Sequence, residues 1–167
     1  MKTKLLSLLF TLVLGTLPVF AEPTEINGFT WDNPLGPTKV EKLGVEAKAC
    51  RWPAGVPYKE TQLELIVVHY DAETVEQTER KEVYQAALGT YLGMMKTPEE
   101  VNKTLFFGST GAREVYRGSI PRKNEIHAFS KFLEDGSFVL VAIRAFEPTH
   151  PELGKLIQSV ANTFKRG

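Results

Sequence analysis

The chain has 167 residues, 20 basic and 20 acidic side chains, 43% hydrophobic residues and a single cysteine. The even charge excludes a general nucleic-acid binder, which needs an excess of Lys and Arg to neutralise phosphates. One cysteine excludes an internal disulfide, and a free thiol packs as a small hydrophobe, so Cys50 is expected to be buried.

Residues 1–21 carry Lys2 and Lys4, an apolar run from Leu5 to Leu14, and Val19-Phe20-Ala21 at the end. This predicts a secretory signal cleaved after Ala21, with an apolar core too short to span a bilayer. The expected mature chain, 22–167, is one globular domain outside the cytoplasm, secreted or periplasmic. It has 18 basic against 20 acidic side chains, since Lys2 and Lys4 leave. No other apolar run approaches spanning length, and a monomer is expected.

Asn27-Gly28, Asn33-Pro34 and Gly36-Pro37 punctuate the next stretch, so an ordered lead or short strand with Phe29 and Trp31 as docking groups is expected. Val45 to Arg51 alternates as a strand, which Trp52 and the prolines to Pro57 end. Thr61 to Tyr70 places Leu63, Leu65 and Val67 on one side and Ile66, Val68 and Tyr70 on the other, a strand buried on both faces. From Glu79 to about Met95 apolar residues recur at three and four (Val83, Ala87, Tyr91, Met94), predicting a long middle helix. Gly89 and Gly93 fit close approach of that helix to a sheet. Thr97-Pro98-Glu99-Glu100 has the chemistry of a capped helix start. Thr104 to Phe107 and Ala112 to Ser119 read as strands around a Gly108-Ser109-Thr110-Gly111 turn, and Asn102-Lys103-Thr104 matches a glycosylation sequon.

Glu125 to Leu133 and Ser137 to Phe146 are rich in aromatic and β-branched residues and flank Glu134-Asp135-Gly136. Asp-Gly suits a type I′ turn, so a two-residue hairpin is predicted, with Leu133 opposite Phe138. One face of that hairpin is then almost wholly apolar and the other mixed. Leu153, Leu156, Ile157, Val160, Ala161 and Phe164 form one stripe of a C-terminal amphipathic helix. The expected class is α+β, an α-β-α sandwich around a mainly antiparallel sheet with a long middle helix.

The order of these features resembles the PsbP-like family: a signal peptide, a strand pair, the helix Tyr84-Gln85-Ala86-Ala87-Leu88-Gly89-Thr90-Tyr91-Leu92, strands joined by Gly108 and Gly111, the Leu133-Glu134-Asp135-Gly136-Ser137 turn, and the close on Ser159 to Phe164. The resemblance covers most of residues 40–165. It implies an α-β-α sandwich and a non-enzymatic accessory or binding role, like that of the extrinsic subunit of photosystem II. No metal-binding or photosystem-docking residue of that subunit has a match here.

The search for chemistry finds no nucleophile elbow, phosphate loop or dinucleotide fingerprint. His69, His127 and His150 are too scattered for a local metal pattern, so no catalytic residue, metal or cofactor is assigned. One constellation stands out. With Ser119 opposite Glu125, Arg117 lies beside His127 and His127 beside Arg144, with Arg113 and Lys131 nearby on the same face. Side-by-side cations are unfavourable unless an anion or carboxylate neutralises them; Glu125 and Glu114 are within reach as such partners. The expected function is binding of an anionic small molecule or an acidic protein partner. The alternatives are a small hydrolase or transferase built around His127, and a structural envelope protein that assembles through an exposed hairpin edge.

Overall fold

A computed structural model describes residues 22–36, 38–53, 61–93, 97–119 and 122–167; the expected leader, the prolines after Pro53, Met94, Met95 and loop residues 120 and 121 lie outside this set. In chain order the elements are β1 (Glu22–Ile26), β2 (Phe29–Asn33), β3 (Val40–Lys42), β4 (Ala47–Pro53) and β5 (Thr61–Tyr70). Then come α1 (Ala72–Glu76), α2 (Arg80–Ala87) with a π turn at Leu88–Leu92, β6 (Glu100–Phe106) and β7 (Ser109–Gly118). The chain ends with β8 (Asn124–Phe132), β9 (Phe138–Phe146), α3 (Leu153–Thr163) and β10 (Lys165–Arg166).

Seven strands form one antiparallel sheet in the order β3-β4-β5-β9-β8-β7-β6, and β1, β2 and β10 form a second, small one. The large sheet is buried on both faces. Leu63, Leu65, Val67, Phe129, Val141 and Ile143 pack with Phe29 and Trp31 of β2 and with Leu156 and Val160 of α3. On the other face Ile66, Val68, Leu140 and Ala142 pack under Val75, Val83, Ala87, Leu88 and Leu92. Each large apolar side chain removed from water contributes about 1.5–3 kcal/mol, so the central strands anchor the fold. Cys50 is fully buried in the first of these clusters, and burial pushes its thiol up to about 11.

The expected α-β-α sandwich with a long middle helix is not what forms. Strands take up 49% of the structure and helix 22%, in short pieces. The apolar stripe from Glu79 is helical only over Arg80–Ala87; the chain then widens into the π turn, and Gly93 closes it at φ 66° with its amide on Gly89 O at 3.2 Å. Glycine adopts that left-handed position without a side-chain penalty, which ends the helix early.

Local signals yield to strand pairing in three other places. Glu99 and Glu100, expected in a helix start, join the sheet: Glu99 N donates to Val115 O at 2.8 Å and Glu100 begins β6. The turn between β6 and β7 is Phe107-Gly108, both at positive φ, rather than the four residues from Gly108. Finally, Glu134 to Gly136 is a three-residue loop, closed by Leu133 N on Ser137 O at 2.8 Å and fixed by Ser137 N on Asp135 Oδ1 at 3.1 Å. Phe132 therefore faces Phe138, one residue away from the two-residue register. The N-terminal lead is a hairpin turning at Asn27-Gly28, with Asn27 at φ 56° and Gly28 at φ 80°.

Candidate functional site

Two register differences split the predicted row of cations, the one-residue slip between β8 and β9 and a two-residue offset between β7 and β8. Arg117 pairs with Glu125, where Ser119 was expected, and His127 lies between Val115 and Ile143. Arg113 pairs with Phe129, and Lys131 with Val139. Side chains paired across a ladder share a face, so these four residues lie on the α3 side of the sheet. Arg144 pairs with Ile126 and Glu64 instead, on the α2 side, and is not beside His127.

On the α2 side Arg144 is committed to structure. Its Nη1 lies 3.2 Å from Glu64 Oε2, and its Nη2 donates to Leu92 O at 2.9 Å, tying the sheet to the end of the π turn. Glu64, only 5% exposed, also accepts from Arg51 Nε at 2.8 Å, and Arg51 in turn pairs with Glu41. Burial lowers the Arg144 pKa, and the Glu64 charge opposes that. Nearby, the hydroxyls of Tyr84 and Tyr116 both donate to Glu114, and burial pushes both phenols up.

On the α3 side Arg117 is already neutralised. Its guanidinium reaches Glu100 at 2.8 Å, Glu99 at 3.0 Å and Glu125 at 3.1 Å, and these partners, Glu100 first, raise its pKa. The second oxygen of Glu125 sits 2.6 Å from His127 Nε2. A carboxylate oxygen only accepts, so Nε2 carries the proton and neutral His127 presents a lone pair at Nδ1. That Nδ1 is buried and has no hydrogen-bond partner among the described residues. Arg113 Nε, one diagonal step away on β7, is likewise buried and unpartnered. Burial lowers the His127 pKa; Glu125 works against this, and Arg113 adds to it.

Two of the clefts on the described surface border these residues. One, about 390 Å³, is lined by Arg117, Ser119, Lys123, Glu125, Glu147 and Thr149 among others, but His127 lies beneath Glu125 and does not line it. The other, about 340 Å³, is lined by Phe107, Lys131, Leu133, Glu134, Asp135 and Arg166. Here Lys131 Nζ donates to Ser109 Oγ at 2.8 Å and Phe107 O at 3.4 Å, both neutral, while Arg166 pairs with Asp135. Among the described residues no cluster of three His, Cys, Asp or Glu side chains could hold a metal ion, and none of their helices is long and apolar enough to cross a membrane.

Sequence reasoning missed the carboxylates Glu64, Glu99 and Glu100. Glu64 had a visible signal, an acid in the middle of an otherwise apolar strand. Glu99 and Glu100 had none, because their spacing is equally good helix-cap chemistry.

No family model matches the chain, and no curated protein matches it. A crystal structure of a Bacteroides thetaiotaomicron protein is similar in fold, with a TM-score of 0.51 at 8% sequence identity. The similarity covers 84% of this chain but 45% of that one, so the chain spans under half the length of its structural neighbour. At that identity the likeness concerns the fold alone.

Proposed function

We propose that the chain is a non-catalytic binding or accessory protein acting outside the cytoplasm, which engages an anionic ligand or an acidic partner surface on the α3 side of its sheet. The observation that carries this reading is the pair of buried, unpartnered nitrogens, Arg113 Nε and His127 Nδ1, on adjacent strands. Native proteins satisfy nearly all such atoms, so an orphaned pair marks a place where a ligand, water or ion belongs. A resemblance to PsbP-like accessory proteins in the order of elements supports the same class of role. A hydrolase around His127 needs a hydroxyl on the free imidazole nitrogen, and among the described residues none bonds Nδ1.

Neutral His127 accepts at Nδ1, so a bound carboxylate, or a phosphate oxygen that carries no proton, requires that nitrogen to be protonated. Anion binding therefore takes up a proton and strengthens as pH falls from 8 towards 6. Calorimetric titration of wild type, Arg113→Gln and Arg144→Met with acetate and phosphate at both pH values tests this. Loss in Arg113→Gln with retention in Arg144→Met supports the site; equal binding in all three contradicts it.

A further inference from the structure

We infer that the outer edge of β6 receives an extended segment of a partner protein as an eighth strand, and that this segment carries an acidic side chain between two apolar ones. The two edges of the large sheet differ: β3 is three residues long, whereas β6 is seven and, among the described residues, pairs only with β7. The Phe107-Gly108 turn has both φ values positive, 52° and 66°, which makes Phe106 and Ser109 the closing hydrogen-bonded pair of a two-residue hairpin. Antiparallel ladders alternate, so Asn102 and Thr104 spend their amides and carbonyls on β7. Those of Val101, Lys103 and Leu105 point outward.

The same three residues share one face and form the side-chain half of a docking strip. Val101 is 63% and Leu105 53% exposed, two of the four large hydrophobics exposed among the described residues, and Lys103 lies between them. Glu114, behind Val101 on β7, is held by the hydroxyls of Tyr84 and Tyr116. A central lysine is a common guard against edge-to-edge pairing. Here it acts against a second copy: the antiparallel register that overlaps both β6 strands fully sets Lys103 opposite its counterpart. A one-step slip in outward pairs sets the charge against Val101 or Leu105 instead. An acid on a different partner turns that repulsion into a cross-strand ion pair, and apolar residues two places either side meet Val101 and Leu105. This strip lies on the opposite face from Arg113 and His127, so the inference is independent of the anion site.

The test uses the full chain and two capped, fluorescent peptides, Thr-Val-Thr-Glu-Thr-Val-Thr and the same peptide with Lys at its centre. Anisotropy should show the Glu peptide binding about tenfold tighter than the Lys peptide. Lys103→Glu should reverse the preference, an outcome that misfolding cannot produce, and Leu105→Lys should abolish binding of both. Amide exchange should slow at Val101, Lys103 and Leu105 on adding the Glu peptide, and not at Asn102 or Thr104. Equal binding of both peptides, or a preference unmoved by Lys103→Glu, overturns the inference. So does a dimer by light scattering whose β6 amides are protected without peptide, since that gives the edge to a second copy.

Discussion

Arg144 on β9 and Arg117 on β7 flank β8 in one sheet and both bind glutamate, but they do different work. The Arg144 and Glu64 side chains are 17% and 6% exposed, and their hydrogen bonds close onto the backbone of the π turn. Arg117 is 47% exposed and shares its charge among three carboxylates that water also reaches. Counting partners would rank Arg117 first; burial reverses the order, because the cost of leaving a charge unpaired depends on how dry its surroundings are.

The sharpest way to break that comparison is to remove one partner of the buried pair. Arg144→Ala leaves Glu64 buried with Arg51 as its remaining ion-pair partner and Leu92 O without its donor, and should lose about 1–3 kcal/mol in urea denaturation. Glu64→Leu combined with Arg144→Met should recover most of that loss, because the charge and its desolvation cost go together. If Arg144→Ala alone is neutral, Arg51 suffices to compensate Glu64 and the weight given to the Arg144 pair is wrong.

A smaller effect follows from the histidines. Burial is the first cause lowering the pKa of both His127 and His69. The unfolded chain takes up these protons near the ordinary value of about 6.5, while the folded chain resists them, so the unfolded state binds more protons below that value. Stability should hold above about pH 6.5 and fall as pH drops through it towards the lowered folded values. His127→Gln should make the fall shallower, as read by denaturation midpoints from pH 8 to pH 5. An unchanged slope in that variant would show that His127 protonates freely in the folded protein.

The smallest expected change is at Arg117. Its three pairs are exposed, so Arg117→Gln should shift the denaturation midpoint little, and the shift should shrink further in 0.5 M salt because exposed pairs are screened within roughly 10 Å even at about 0.1 M. A large, salt-insensitive loss would put Arg117 in the same class as Arg144.

Much of the fold was legible where one signal dominated. The run from Thr61 to Tyr70 is β5 as read, since an apolar stretch of that length between breakers has few alternatives. The stripe from Leu153 gives α3, whose period of three and four is unambiguous. Elsewhere two local rules competed and the sheet decided. Glu99 and Glu100 satisfy a helix cap equally well, but the β6–β7 ladder and Arg117 claim them. Nothing in its side chain marks Phe107 for a positive φ, so the hairpin was read but its turn was placed at Gly108 to Gly111.

The site was less legible, because it depends on register to a single residue. Asp135-Gly136 was correctly a turn, yet the Asp135 side chain accepts from both the backbone and hydroxyl of Ser137 and makes the loop three residues long. That step moved Arg144 to the far face, while a separate two-residue difference in the β7–β8 register moved Arg117 from His127 to Glu125. Residue types alone carry no information about such a slip. Arg113 and Lys131, marginal in the sequence reading, are left without a carboxylate in the described ion pairs.

The central claim, that Arg113 and His127 together form the anion site, is tested most directly by a nitrogen NMR titration of the His127 ring. With saturating phosphate the account predicts that the His127 pKa rises, that Nδ1 gains its proton on binding, and that both changes vanish in Arg113→Gln. A ring that titrates identically with and without phosphate, in wild type and variant alike, would contradict it.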